Sequence, residues 1–160
     1  MGKILTWDEA TIERALRRRY GESVCFTNGV FDLLHVGHLD YLEQARALGD
    51  WLVVGVNDDS SAYRLKGFGR PLIPVQERAR LLAALDPVDA VVIFKQDTAE
   101  QLVEALRPDL FVKGGDWGER RRPPEVAVVQ AYGGRVEYLT FLPGHSTSDL
   151  IERILKSYGR

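Results

Sequence analysis

Two histidines three residues apart, His35 and His38, end the run Asn28-Gly-Val-Phe-Asp-Leu-Leu-His-Val-Gly-His38, with Gly37 between them. The run joins an apolar, strand-like stretch to a helix through a glycine-marked turn. A helix N-terminus carries unpaired N–H groups and a partial positive charge, which makes it a natural seat for phosphate. Two imidazoles at that entrance add donors for phosphoryl oxygens, and Gly37 lets the backbone come close. The pattern points to a nucleoside triphosphate. A zinc site would need cysteine or carboxylate ligands at usable spacing, and none stands nearby. No Gly-Lys-Ser/Thr follows, so the loop is not a Walker A motif, and without Gly-x-Gly-x-x-Gly a dinucleotide dehydrogenase is disfavoured.

Other chemistry-bearing residues fall just after predicted strands, at 57–61, 113–117 and 144–148, or on the helices between them. Lys66, Arg78 and Lys113 are cations that could neutralise phosphate, although such residues are often plain surface. Asp32 and Asn57 are candidate substrate contacts, as is Lys66. Asp116 could orient a ribose or Mg2+, or simply form a turn. Ser146 and Thr147 open the last predicted helix. Their hydroxyls could join its N–H groups on a phosphate, or Ser146 could merely cap the helix, with Asp149 three residues on.

The elements that would position these groups follow from periodicity. Thr6-Trp-Asp-Glu9 reads as a capping box opening an amphipathic helix that ends near residue 19. Strands are expected over residues 23–27, 51–56, 90–94, 110–113 and 136–139. The second is apolar and β-branched without polar alternation, as in a strand covered on both faces. Between them lie helices over about 36–48, from 58 to about 66, from Pro74 to 85, from 98 to 106 (with Thr98-Ala-Glu-Gln101 as a second capping box) and over 125–132. A last helix begins at Ser146. Strands alternating with helices require crossover connections, so the expected fold is α/β, a Rossmann-like doubly wound five-stranded parallel sheet. Ligands in such sheets sit at the carboxyl ends of the strands, near the switch in strand order.

The 160-residue chain suits a single domain over residues 1–160, with an N-terminal helix in 1–20 and a catalytic core in 22–155. A net charge of −2 gives no bulk signal for nucleic acid or a membrane surface. The short Arg17–Arg19 and Arg120–Arg122 runs read as solvated edges. Cys25 is the only cysteine, so no intramolecular disulfide forms. The N-terminus lacks the apolar core of a signal peptide, and no apolar stretch is long enough to span a bilayer. A cytoplasmic location is expected.

Gly29-Val-Phe-Asp-Leu-Leu-His-Val-Gly-His38 closely resembles the Gly-x-Phe-Asp-x-x-His-x-Gly-His hallmark of the cytidylyltransferase-like nucleotidyltransferases. Val56-Asn-Asp-Asp, Arg64-Leu-Lys-Gly67, Arg70-Pro71, Pro108-Asp109, Val112-Lys-Gly-Gly-Asp116 and Gly144-x-Ser-Thr147 narrow the likeness. Together they look most like the adenylyltransferase domain of bifunctional heptose-phosphate kinase/adenylyltransferases, here in stand-alone form. The resemblance implies transfer of AMP from ATP to D-glycero-D-manno-heptose 1-phosphate, giving ADP-heptose for lipopolysaccharide and pyrophosphate. It implies that His35 and His38 donate to the triphosphate. Asn28, Gly29, Val30, Phe31 and Gly37 would line the nucleotide, Val30 and Phe31 through backbone, with Asp116 near the ribose. Lys66, Arg78 and Lys113 would hold phosphates, and Ser146 and Thr147 would seat one at the last helix. Mg2+ would come with ATP, and a homodimer through the exposed face of the first helix is expected by analogy. The alternatives are a cytidylyltransferase for a small alcohol phosphate such as glycerol 3-phosphate, or an FAD-type adenylyltransferase. The first usually carries an arginine ahead of its Gly-Ile-Ser-Thr-Thr segment, and Phe141-Leu-Pro-Gly144 has none.

Overall fold

The computed structural model describes residues 1–115 and 122–159. Among the described residues thirteen elements follow one another: β1 (Lys3–Leu5), α1 (Trp7–Arg19), β2 (Val24–Gly29), α2 (Val36–Arg46), β3 (Trp51–Asn57), α3 (Asp59–Lys66), α4 (Val75–Ala84), β4 (Ala90–Phe94), α5 (Glu100–Leu106), β5 (Leu110–Gly114), α6 (Glu125–Ala131), β6 (Arg135–Leu139) and α7 (Thr147–Tyr158). The six strands form one parallel sheet in the order β1-β4-β3-β2-β5-β6. From β2 the chain winds outward through β3 and β4, then returns to place β5 on the other side of β2. That reversal puts the switch point between the carboxyl ends of β2 and β5.

Alternation along the strands divides the core into two layers. Val24, Phe26, Val53, Val92 and Phe111 face one side, with Ala10 of α1, Leu102 and Val103 of α5 and Val129 of α6. Cys25, Leu52, Val54, Val91 and Val112 face the other, with Leu42 of α2 and Ala79 and Leu82 of α4. Burial on both faces explains why β2 and β3 read as unbroken apolar runs. Cys25 is fully buried, and burial raises its thiol to about 11, so it remains a protonated apolar filler.

The helix starts test the local reading. Thr6 forms the expected capping box: its Oγ1 accepts from Glu9 N at 3.3 Å, and the Glu9 carboxylate accepts from Thr6 N at 2.8 Å. The second box does not form. Ala99 stands at the start of α5, while Thr98 Oγ1 donates to the Glu100 carboxylate at 2.7 Å. The Ala99 N–H is instead satisfied from a distance, donating to buried Glu125 Oε1 at 2.8 Å.

One sheet edge departs from expectation. A sixth strand, β1, pairs with β4 through Lys3, Ile4 and Leu5, a stretch too short to show a period of two. At the opposite edge all five residues of β6 are exposed or half-buried. Among the described residues no helix is long and apolar enough to cross a membrane.

Candidate active site

Asn28 and Gly29 end β2 at the switch point, and the chain then bends through Val30 and Phe31 to α2. Phe31 holds a positive φ of 50°, a conformation that costs a bulky residue roughly 1–3 kcal/mol and persists only where surroundings enforce it. The Phe31 ring reaches back over Gly29, coming within 3.0 Å of where a Cβ on residue 29 would sit. Its centroid lies 5.4 Å from that of His38, tilted by 54°. The strained residue therefore forms the wall against which His38 is set.

Bonds on either side hold that bend. Arg78, fully buried in α4, donates to the carbonyl oxygens of Val30, Asn57 and Ile73 and, at 2.7 Å, to the Asp59 carboxylate. Asp59 also accepts from Val75 N at 2.8 Å. On the far side of the bend, the buried Asp32 carboxylate accepts from Leu72 N and Ile73 N at 2.9 Å and from Arg70 Nε at 2.6 Å. The segment 70–75 is thus strapped across the loop by two arginine–carboxylate pairs.

Three of the candidate residues are engaged by the protein itself. The Arg78 guanidinium is committed to protein carbonyls and Asp59, where it braces loops. Asp32 holds the strap. Asn57 is 2% exposed, and its amide donates to Ser61 Oγ and the Gln96 carbonyl, both at 3.2 Å. Residue type could not separate these roles, because a buried brace and a phosphate ligand draw on the same side chains. The Val30 carbonyl is likewise taken by Arg78, and Val30 and Phe31 are 8% and 7% exposed.

His35 occupies the N-cap of α2 without capping it through its side chain, while its carbonyl accepts from His38 N at 2.9 Å. The one-turn separation stacks the two imidazoles with centroids 3.9 Å apart and planes 28° apart. Among the described residues, the buried Nδ1 atoms of both rings have no hydrogen-bond partner. Burial, with a smaller push from His35, lowers His38 to about 4. His35 is lowered too, by burial and by His145, against an opposing pull from Asp149. Both rings are therefore neutral at pH 7, and a nearby phosphate would raise their proton affinity.

Further cations gather around the switch point. Lys113 ends β5 beside Asn28, donating to Asn28 Oδ1 at 3.2 Å across the gap between β5 and β2. Burial holds its ammonium below the usual lysine range; Glu125 opposes that effect, and the charge of Lys66 adds to it. Lys66, exposed at the end of α3, thus shares an electrostatic neighbourhood with Lys113. Tyr41 locks α2 to both strands, its hydroxyl lying 2.7 Å from Thr27 Oγ1 and donating to Val112 O at 3.0 Å.

The turn before α7 closes the other side. A Cβ on residue 37 would lie 2.9 Å from His145 O, 3.0 Å from His145 Cβ and 3.0 Å from His35 Nδ1, so glycine there lets the two helix starts meet. Ser146 is a cap: its hydroxyl accepts from Asp149 N at 3.0 Å and donates to Asp149 Oδ2 at 2.6 Å. Thr147 Oγ1 faces Leu33 O at 3.5 Å. His35, His38, Gly37 and the turn at Ser146 and Thr147 meet at the start of α2, and Asn28 and Lys113 pair at the ends of β2 and β5, whereas Asp116 lies outside the described residues. Asp59, Arg70 and His145 lie in segments that carry the resemblance, but from sequence alone none of the three received a role of its own. Arg70-Pro71 was visible as part of a resemblance, but nothing in the sequence pairs it with Asp32.

Comparison with known proteins fits this geometry. A family model described as Cytidylyltransferase-like matches residues 26–153. The protein called bifunctional protein HldE from Syntrophotalea carbinolica is 54% identical over 147 residues, which cover 89% of this chain and 29% of that protein. The protein of that name from Geobacter sulfurreducens is 54% identical over 148 residues, 91% of this chain and 29% of the relative. That from Pseudomonas aeruginosa is 53% identical over 137 residues, 86% and 29%. The chain thus spans less than a third of the length of these relatives. The crystal structure of the lipopolysaccharide core biosynthesis protein from Thermoplasma volcanium superposes with a TM-score of 0.62 at 28% identity, covering 76% of this chain and 98% of that one. With the motif loop, the switch-point site and four-fifths of its length matched, the chain belongs to the cytidylyltransferase-like family of nucleotidyltransferases.

Proposed function

We propose that this chain transfers AMP from ATP to a sugar 1-phosphate, D-glycero-D-manno-heptose 1-phosphate, releasing pyrophosphate and forming ADP-heptose. The observation that carries the chemistry is the stacked pair His35 and His38, whose buried Nδ1 atoms have no hydrogen-bond partner among the described residues, at the start of α2, reached by the loop that leaves β2 one residue after Asn28, the partner of Lys113. The sugar is supported by identities above 50% to the HldE proteins and by likeness to a lipopolysaccharide core biosynthesis protein.

A phosphate oxygen of the sugar 1-phosphate attacks the α-phosphorus of ATP. The bond from that phosphorus to the α,β-bridging oxygen breaks, and its electron pair leaves with pyrophosphate. The nucleophile is already an anion at neutral pH, so no general base is needed. Repulsion between anions and charge growing on the α-phosphoryl oxygens limit the rate, which leaves positioning and electrostatic stabilisation to the protein. His35 and His38 donate to those oxygens, while Lys113 and Lys66 draw the phosphates in. Neutral imidazoles serve as donors here, and the bound anion supplies the field that strengthens the bond.

Among the described residues no group of three or more His, Cys, Asp or Glu could hold a metal ion, and the donor set suits phosphate oxygens. Mg2+ would come with ATP, held chiefly by phosphate oxygens, and would supply neutralising charge. A cytoplasmic location, where ATP is available, and a homodimer through the α1 face carrying exposed Ile12 and Leu16 belong to the same reading.

The test is a pyrophosphate-release screen of both anomers of the heptose 1-phosphate, other sugar 1-phosphates and glycerol 3-phosphate, each with ATP and with CTP. Release is expected with ATP and a heptose 1-phosphate. Turnover of glycerol 3-phosphate with CTP, and of no sugar phosphate, would overturn the assignment.

A further inference from the structure

The turn entering α7 carries a third imidazole. His145 is exposed, immediately before the Ser146 cap. Its Cβ and carbonyl oxygen border the same point above Gly37 that His35 Nδ1 borders, at 3.0, 2.9 and 3.0 Å. The starts of two helices, α2 and α7, thus meet across one glycine, with a histidine from each side. The charge of His145 reaches His35, whereas it is not among the causes acting on His38. His38 is the ring set against the Phe31 wall, His35 stacks on it, and His145 lies beyond His35 toward solvent. The imidazoles form a series running from the interior outward.

The other side chains of this turn are engaged. The Ser146 hydroxyl is used in both directions by Asp149, and Thr147 faces the Leu33 carbonyl. The Asp149 carboxylate is in turn held by Ser146. His145 is the one side chain of the turn whose ring appears in no hydrogen bond among the described residues, and it is a donor. A triphosphate whose α-phosphoryl group meets His35 and His38 could extend its remaining phosphates outward along this series.

We propose that His145 is a further nucleotide-binding residue, donating from its imidazole to the outer phosphates of the bound triphosphate, the part that departs as pyrophosphate. The proposal rests on the ATP-dependent reading above and adds a contact specific to the leaving group. It predicts a separation between the two substrates. Steady-state pyrophosphate release by the His145→Ala chain should show KM for ATP raised about tenfold, the size of losing one hydrogen bond to a charged group. KM for the sugar 1-phosphate should stay within about twofold of wild type, because that substrate approaches from the opposite face of the α-phosphorus in an in-line transfer. His145→Arg, which restores a donor of the right charge, should recover most of the ATP effect. The residue is exposed, so thermal melting should be unchanged in both variants.

An unchanged KM for ATP in His145→Ala would overturn the proposal. So would a parallel rise in KM for both substrates, which is the signature of a loosened α7. Wild-type protein that releases no pyrophosphate with any acceptor is a different result: it sinks the ATP-dependent reading, and the role of His145 falls with it.

Discussion

The two walls of the site are built in opposite ways. The wall formed by the β2–α2 loop is braced from behind by Arg78 and Asp32, both buried, through bonds to backbone on three separate segments. The wall formed by the turn into α7 leans on one cap and one long contact, and α7 has no buried residue. Of the two walls, only the braced one holds a non-glycine residue at positive φ among the described residues, Phe31. A conformation that costs free energy needs neighbours that enforce it, whereas a helix start that only has to meet a phosphate can rest on the surface. In the proposed reaction, precision for the reacting phosphorus and adaptability for the departing group would thus sit on different elements.

The largest expected effect comes from removing the brace. Arg78→Met keeps the stem but takes the donor from two buried carbonyls, those of Val30 and Asn57, and from the half-buried Ile73 carbonyl. Losses of about 1–3 kcal/mol for each unsatisfied group set the scale, and partial relaxation brings the expected total to about 3–5 kcal/mol. Urea unfolding should show the drop in midpoint. If Arg78→Met unfolds like wild type, the strained bend is self-supporting and the contrast between the walls dissolves.

Next in size is the catalytic loss at the braced wall. His38→Ala should lower turnover by ~10²–10³, or about 3–4 kcal/mol of barrier, while retaining a cooperative unfolding transition. A near-normal kcat would remove His38 from the chemistry and leave its stacking on His35 as a packing feature.

The same ring gives a pH signature. His38 falls from an unfolded value near 6.5 to about 4 in the folded protein, so the unfolded chain binds its proton first as the solution is acidified. The neutral ring's contribution is complete above pH 6.5 and is lost as pH falls toward 4. A drop of 2.5 units corresponds to about 3 kcal/mol. Unfolding free energies at pH 7.5 and 4.5 should therefore differ more in wild type than in His38→Gln. Equal differences would mean that the imidazole is well hydrated in the folded protein.

How far the sequence revealed these walls depends on the range of the interactions. The histidine spacing, the Thr6 cap and the apolar runs of β2 and β3 are local patterns, and they placed the histidine site at the switch point. Arg78 reaches Val30 over 48 positions and Asn57 over 21, and Asp32 reaches Arg70 over 38, distances at which no periodicity marks a partner. β1 was invisible for a different reason: three residues carry too little pattern, and its place is set by pairing with β4. The capping box at Thr98 failed because Glu125 offered the Ala99 N–H a buried carboxylate from another helix.

The smallest predicted effect falls on the unbraced wall and decides what Ser146 does. Ser146→Ala removes a cap that satisfies Asp149 N, a loss of about 1 kcal/mol, and Ser146→Gly or Ser146→Asn should recover most of it. If the hydroxyl serves only the helix, KM for ATP should follow stability across the three variants, with glycine and asparagine near wild type. If it also binds phosphate, all three should raise KM whatever their melting temperature, because none keeps a hydroxyl at that position. The first pattern is expected, since Asp149 already occupies the hydroxyl as donor and acceptor partner. The second would make this wall a designed phosphate seat in its own right, and the division between a rigid side and an adaptable one would no longer describe the site.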